Sequence, residues 1–370
     1  MRGKAILQHW LQSADVCVNG DRPWDIQVHN PRVYRRLLSG GSLAAGESYM
    51  DGWWDCEALD EAFTRILQAG VDKKLAYAPT RIRNFLLASF RNLQSRARAY
   101  QIGKRHYDKG NELFRLMLDK RMVYSCGYWK DATNLDEAQE AKLELVCRKL
   151  HLEEGQRVLD LGCGWGGFAR YAAKRYGVRV TGLTVSRQQA ELAQKRCRGL
   201  PVDIRLQDYR AVNEPFDRVV SIGMFEHVGK RNYRTFMDVA HRCLKEGGLQ
   251  LLHTIGSSIS VNMTDPWLQK YIFPNGMLPS ARQIADAAER FFVIEDWHNF
   301  GTDYDRTLLA WYRNFRTHWD QIKGQYDPRF YRMWTYYLLL SAASFRAREN
   351  HVWQIVFSKC GATRLYESVR

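Results

Sequence analysis

No two cysteines of this chain stand in a C-x-x-C pair and none keeps histidines at zinc spacing, although there are eight: Cys17, Cys56, Cys126, Cys147, Cys163, Cys197, Cys243 and Cys360. That scatter indicates neither a disulfide framework nor a metal site, and it fits a reducing cytoplasm. Long apolar runs are missing too. Nothing approaches the roughly 18 residues of a membrane span, and the opening MRGKAILQHW lacks the apolar centre of a secretory signal. The expectation is a soluble or peripheral protein. Internal repeats and low-complexity tracts are absent as well.

What is present begins with length and charge. The chain has 370 residues, enough for one large domain and a smaller one at roughly 150 residues per domain. The 55 Lys and Arg exceed the 40 Asp and Glu, a net charge of +15. Such an excess points to an anionic partner without separating nucleic acid from a phospholipid surface. Its placement is more telling: residues 73–105 hold nine Lys or Arg and no acid. Ile82, Phe85, Leu86, Phe90, Leu93 and Ala97 fall there at helical spacing, which predicts a cationic amphipathic helix. It serves as a linker with a solvated basic face, as a rest on anionic lipid, or as both.

The chain is organised around residues 158–167, VLDLGCGWGG. A buried strand ending in a glycine turn and running into a helix puts the turn at the carboxyl edge of a parallel sheet, where open α/β sheets bind ligands. Gly162 and Gly164 permit positive φ and close approach of a ligand, and Asp160 supplies an acid near the strand end. A nicotinamide or flavin site would read G-x-G-x-x-G with an acid about 20 residues on. Here the turn reads G-x-G-x-G-G, and the second strand, 179–185, ends GLTVS without a carboxylate.

Further strands are predicted at 202–209, 216–223 and 249–256 with helical segments between them, hence a parallel sheet. Residues 1–72 read as a small α/β module with Trp53 and Trp54 in its core. Residues 257–280, too polar and turn-rich for another βα unit, read as an inserted lid or substrate loop. A helix at 282–290, a strand FFVIEDW, two helices between 303 and 348 and a last strand HVWQIVFSK complete the chain.

The runs HYDKGNELF, YSCGYW, VLDLGCGWGG, LQDYR, GMFEHVG, LLHTIG, KYIFPNGMLPS, EDWHNFG, DYDRTLLAWY and SFRAR, in this order from 101 to the C-terminus, resemble those of the cyclopropane-fatty-acyl-phospholipid synthases. The resemblance implies an α/β, class I S-adenosylmethionine-dependent methyltransferase fold, Rossmann-like and seven-stranded with the last strand antiparallel, carrying a small N-terminal domain. It divides the chain into a lipid-associated domain at 1–72, a linker helix at 73–100 and a catalytic domain at 101–370. The implied activity adds a methylene group to cis double bonds of unsaturated phospholipid acyl chains. The implied cofactor contacts are Tyr124, Ser125, Asp160, Gly162, Gly164, Gly166, Thr184, Gln189, Gln207 and Asp208, with Thr184 and Gln189 as ribose partners. The resemblance also implies a bicarbonate ion held by positions matching Cys126, Glu226, His253, Ile255 and Tyr304. Cys126 and Ile255 would act through main-chain N–H groups, and Glu226 would accept the ion's hydrogen bond. Tyr124, Trp129, Trp267, Tyr271, Phe273 and Tyr304 would stabilise a cation and exclude water. A homodimer, peripheral at the cytoplasmic side of an inner membrane, is implied as well.

Three rivals stand beside this reading. A related lipid methyltransferase would give methyl-branched products. A nucleic-acid methyltransferase would use the positive charge, but no Asn or Asp precedes Pro-Pro-aromatic after the fourth strand and no Pro-Cys pair offers a nucleophile, so no nucleic acid is expected. A membrane-binding protein with an inactive methyltransferase fold would not need the intact turn.

Overall fold

The computed structural model describes residues 2–75, 110–261, 264–360 and 365–370. The basic helix expected at 73–105, apart from its first three residues, lies outside the described residues, as do His106, Tyr107, Asp108 and Lys109 of the HYDKGNELF run. The chain groups into two compact units, one drawn from residues 1–91, 262–274 and 304–350, the other from 92–261, 275–303 and 351–370.

In the second unit seven strands form one sheet: β1 (Arg157–Leu161), β2 (Arg179–Thr184), β3 (Val202–Leu206), β4 (Phe216–Ile222), β5 (Leu244–Ser257), β6 (Phe292–Asn299) and β7 (Asn350–Lys359). Their order is β3-β2-β1-β4-β5-β7-β6. The pairs β1/β2, β1/β4, β2/β3 and β4/β5 are parallel, and β6/β7 is antiparallel. Strands buried on both faces need apolar side chains at successive positions, and β1 meets that demand. Leu159 and Leu161 pack with Phe216, Phe236 and Met237 on one face, while Val158 packs with Leu143, Val146, Phe168 and Ala172 on the other. Asp160, two residues from Val158, belongs to that second face by the period of two. The reversal of strand order between β1 and β4 opens the crevice at the sheet's carboxyl edge, where ligands of such sheets bind.

The other unit is mostly helical: Arg2–Gln12, Arg32–Met50, Leu59–Gln68, Pro266–Tyr271, Thr302–Ile322 from Tyr304 onward, and Pro328–Arg346. A two-residue ribbon pairs Val28 with Trp54. Its centre is the buried ring of Tyr336, with ring centroids of Trp267, Phe63 and Tyr49 at 4.5, 5.1 and 5.5 Å. Arg332 ties the unit together by donating to the Tyr49 and Trp54 carbonyls and to Asp55. Arg346 bridges Asp305 and Asp60.

This arrangement departs from the division at 72 and 101 read from the sequence, because residues 262–274 and 304–350 carry aromatic faces whose complement lies among residues 49–63. It also corrects the reading of one aromatic side chain, Trp267. Trp267 is fully buried, its indole N–H on Met50 Sδ. A Cβ on Gly46 would meet that indole at 2.3 Å. Tyr271 donates its hydroxyl to Glu47 and Phe273 lies against Tyr337. Trp267 is thus a core residue rather than a wall for a reacting cation, and Trp54 is core as expected. Trp267→Ala should lower stability by about 3–5 kcal/mol, as other buried Trp truncations do, which urea unfolding will show; a wild-type unfolding midpoint would contradict the core assignment.

Candidate functional site

The glycine turn follows β1 directly. Gly162 and Cys163 donate their N–H groups to the Leu183 carbonyl of β2, holding the turn against the neighbouring strand. Gly164 has φ +53°, and a Cβ built on it meets nothing within 4 Å. It borders a pocket of about 1340 Å³ including its mouth, lined by Tyr124, Ser125, Lys142, Asp160, Gly162, Gly164, Trp165, Thr184, Gln189, Gln207, Asp208, Met224 and His227 among others. Of the ten residues expected to contact a cofactor, all but Gly166 line this wall. Gly166 sits one step behind it as the N-cap of the helix Gly167–Tyr176, with φ 76°.

The wall is built from several elements. On one side, residues 119–128 are strapped to the helix Leu135–Lys149, whose start is capped by Asn134. Asp119 accepts the N–H groups of Val123 and Arg121, and Tyr128 N–H donates to the Ala138 carbonyl. Gln139 Nε2 donates to the Ser125 carbonyl at 2.7 Å, and Lys142 Nζ donates to Ser125 Oγ, also at 2.7 Å. On the other side, the Thr184 hydroxyl donates to Gln189 Oε1 at 2.8 Å. Asp208 accepts the N–H, Nε and a terminal nitrogen of Arg210.

Lys142 was not singled out from the sequence. It has no exposed surface. Burial pulls its ammonium down to about 8 against the upward pull of Asp119, Cys126 and Asp160. The signal was present: Leu135, Ala138, Lys142, Val146 and Lys149 follow helical spacing, so both lysines stand on the inward stripe of an amphipathic helix. Asp160 answers it, with burial pushing its carboxyl up to about 7 and Lys142 opposing. Its Oδ2 is buried without a hydrogen-bond partner among the described residues. A buried carboxylate oxygen seeking a donor, next to a glycine with open space where a side chain would stand, suits the amino-acid end of S-adenosylmethionine.

Behind this wall lies part of the second expected set. Phe225 anchors the short turn after β4, its ring stacked on Tyr233 at 4.3 Å. Glu226 then turns inward. Its Oε1 accepts the Ile255 N–H at 2.7 Å, while Oε2 has no hydrogen-bond partner among the described residues. Burial raises this carboxyl to about 7, opposed by the Ile255 N–H, its own N–H and the Thr254 hydroxyl. The Ile255 amide, expected to face an ion, is therefore engaged by Glu226 itself. His253 is buried in β5 and held well below its usual range by burial, hence neutral. Gln354 Nε2 lies 3.4 Å from its Nδ1; an amide N–H donating there leaves Nε2 as the protonated ring nitrogen. Cys126 is fully buried, beside Ser125. His227 lines the pocket, and burial takes it down to about 4, so it too is neutral. Tyr304 belongs to the other compact unit, where its ring packs between Phe345 and Trp311. Among the described residues no three His, Cys, Asp or Glu side chains cluster to hold a metal, and no helix is long and apolar enough to cross a membrane.

Comparison with known proteins agrees with this geometry. Residues 94–355 match the family described as mycolic acid cyclopropane synthetase. The cyclopropane-fatty-acyl-phospholipid synthase of Escherichia coli K12 is 54% identical over 96% of this chain and 93% of that protein. Cyclopropane mycolic acid synthase 3 of Mycobacterium tuberculosis is 36% identical over 69% of this chain and 95% of its own length. Among solved structures, the M. tuberculosis cyclopropane synthase MmaA2 superposes with TM-score 0.68 at 31% identity, covering 73% of this chain and 100% of that one. Mycolic acid cyclopropane synthase CmaA1, solved with S-adenosylhomocysteine and CTAB, gives 0.66 at 32% identity over 70% of this chain and 98% of that one. Sheet order, glycine turn, pocket and sequence agree: the chain belongs to the cyclopropane synthase family of S-adenosylmethionine-dependent methyltransferases.

Proposed function

We propose that the protein transfers a methylene group from S-adenosylmethionine to the cis double bond of unsaturated acyl chains in membrane phospholipids, closing a cyclopropane ring. The observation that carries this reading is coverage. Likeness to the phospholipid enzyme of E. coli runs over 96% of the chain, N-terminal residues included, whereas likeness to the mycolic acid synthase stops at 69%. The family model matched by residues 94–355 leaves out the N-terminal residues and most of the basic stretch at 73–105, and these parts suit an anionic membrane surface.

When bound, S-adenosylmethionine supplies an electrophilic sulfonium methyl group. Asp160 and Ser125 would hold its amino-acid end, the glycine turn would bring backbone against it, and Thr184, Gln189, Gln207 and Asp208 would receive its nucleoside. The added methyl carbon must lose a proton before the ring closes, beside an apolar chain, so an acceptor is required. Bicarbonate, when bound, supplies such a base. Within the second unit the residues fit it: His253 as an Nε2–H donor, the Cys126 main-chain N–H, and Glu226, whose Oε2 has no hydrogen-bond partner among the described residues. Glu226 would release the Ile255 amide toward the ion or share it. In this reading the enzyme is a homodimer that works at the cytoplasmic face of the inner membrane without spanning it.

The test is incubation with vesicles of unsaturated phosphatidylethanolamine, with and without anionic phospholipid, in the presence of S-adenosylmethionine. Mass spectrometry of the released fatty acids should show one added CH₂ and loss of the alkene. Each basic residue near an anionic surface contributes about 1 kcal/mol, so turnover should rise with anionic lipid and fall with salt. Methyl-branched products that keep a double bond, or modification of nucleic acid alone, would refute the proposal.

A further inference from the structure

Lysine carries three donors and no acceptor. With Lys142 Nζ at 2.7 Å from Ser125 Oγ, the serine oxygen is occupied as an acceptor, and its own proton must point elsewhere. The Ser125 carbonyl is already taken by Gln139 Nε2, one helical turn before Lys142. Gln139 and Lys142 are three residues apart on one inward face, and together they clamp both oxygens of Ser125. Ser125 and Lys142 both line the pocket, opposite in character to the unpartnered carboxylate oxygen of Asp160. The wall thus offers a hydroxyl donor on one side and a carboxylate acceptor on the other, a pattern complementary to an α-amino acid zwitterion.

We propose that Lys142 is a positioning residue which, acting through Ser125, fixes that hydroxyl as a donor to the α-carboxylate of the cofactor and so sets which way round the amino-acid end binds. This inference rests on the cofactor reading above and deepens it. The charged and titratable groups that act on Lys142 are Asp119, Cys126, Asp160 and His253. Its ammonium offsets Asp160 when the pocket is empty of ligand, and it leaves the carboxylate of Asp160 free for the α-ammonium when ligand enters.

The test compares two probes by calorimetry at neutral pH: S-adenosylhomocysteine, which has the amino-acid end, and 5′-methylthioadenosine, which lacks it. Lys142→Met keeps the length and apolar stem of the side chain. It should weaken S-adenosylhomocysteine binding by about 10- to 100-fold, the range for a lost charge-assisted hydrogen bond, and leave 5′-methylthioadenosine binding within about twofold. Ser125→Ala should show the same discrimination, and Ser125→Ala with Lys142→Met should be no worse than the more damaging single change, because the two act as one unit. The serine variant keeps the test alive where the lysine variant does not fold. Equal losses for both probes would make Lys142 a scaffold residue only, and unchanged affinity for S-adenosylhomocysteine would remove its role outright. Failure of the wild-type protein to bind S-adenosylhomocysteine overturns the cofactor reading itself, and the inference with it.

Discussion

Glu226→Gln should reduce turnover on unsaturated vesicles by about 10²–10³, equivalent to a few kcal/mol of transition-state stabilisation, while leaving the protein folded. The amide keeps an oxygen for the Ile255 N–H, so the local hydrogen bond survives. What disappears is the negative charge that would orient a bound bicarbonate by accepting its proton. Because the carboxyl is raised to about 7 by burial, it is protonated below that pH, and wild-type activity should decline as pH falls through 7. The stability argument has the opposite sign. An acid whose pKa is higher folded than unfolded contributes stability below its unfolded value, and that contribution is lost as pH rises through the folded value. Melting experiments should therefore show Glu226→Gln gaining on wild type between pH 5 and 8 even as it loses activity. Buffer stripped of carbon dioxide should silence wild type until bicarbonate is restored, and Cys126→Ser should be mild because its main-chain N–H remains. Full wild-type turnover without bicarbonate, together with an inactive Cys126→Ser, would move the base to the thiol.

Gly164→Val should abolish measurable binding of S-adenosylhomocysteine. The residue sits at φ +53° with open space where a Cβ would go. The cost has two parts. A β-branched residue in the left-handed region is strained by roughly 1–2 kcal/mol, and its methyl groups project into the space the ligand needs. No protein atom stands in the way, so the variant should fold, with a modestly lower melting temperature. Calorimetry giving wild-type affinity in a folded Gly164→Val protein would place the amino-acid end elsewhere.

The sheet was legible in the sequence because its central strands are short apolar runs, two of them, β1 and β4, closed by glycine, and each strand from residue 157 onward lies where its run predicts within a few residues, β5 starting earliest. The cofactor wall was legible where backbone conformation demands a residue type, as at Gly162 and Gly164. Lys142 was not, because a single lysine in a helix of alternating charge reads as solvated until the inward stripe is drawn. Trp267 was misread for a related reason: in sequence, an aromatic among turn residues looks the same whether it faces a substrate or the core. What decided its place was Tyr336, Met50 and Gly46, far away in the chain, and long-range complementarity of that kind leaves no local pattern. Tyr304 shows the same limit, since its local helix gives its neighbours and not its partners across the chain.

The assembly of one unit from three stretches of chain also governs how this protein is born. Tyr49, Trp54 and Phe63 leave the ribosome more than 270 residues ahead of their central partner Tyr336. Synthesis at about 5–20 residues per second leaves a delay of many seconds in which those rings have no core to enter. The N-terminal segment must wait, uncompleted, while strands β1 to β6 are made downstream of it, so a nascent chain halted before the helix Pro328–Arg346 would expose an aromatic surface suited to a holding chaperone rather than a finished domain.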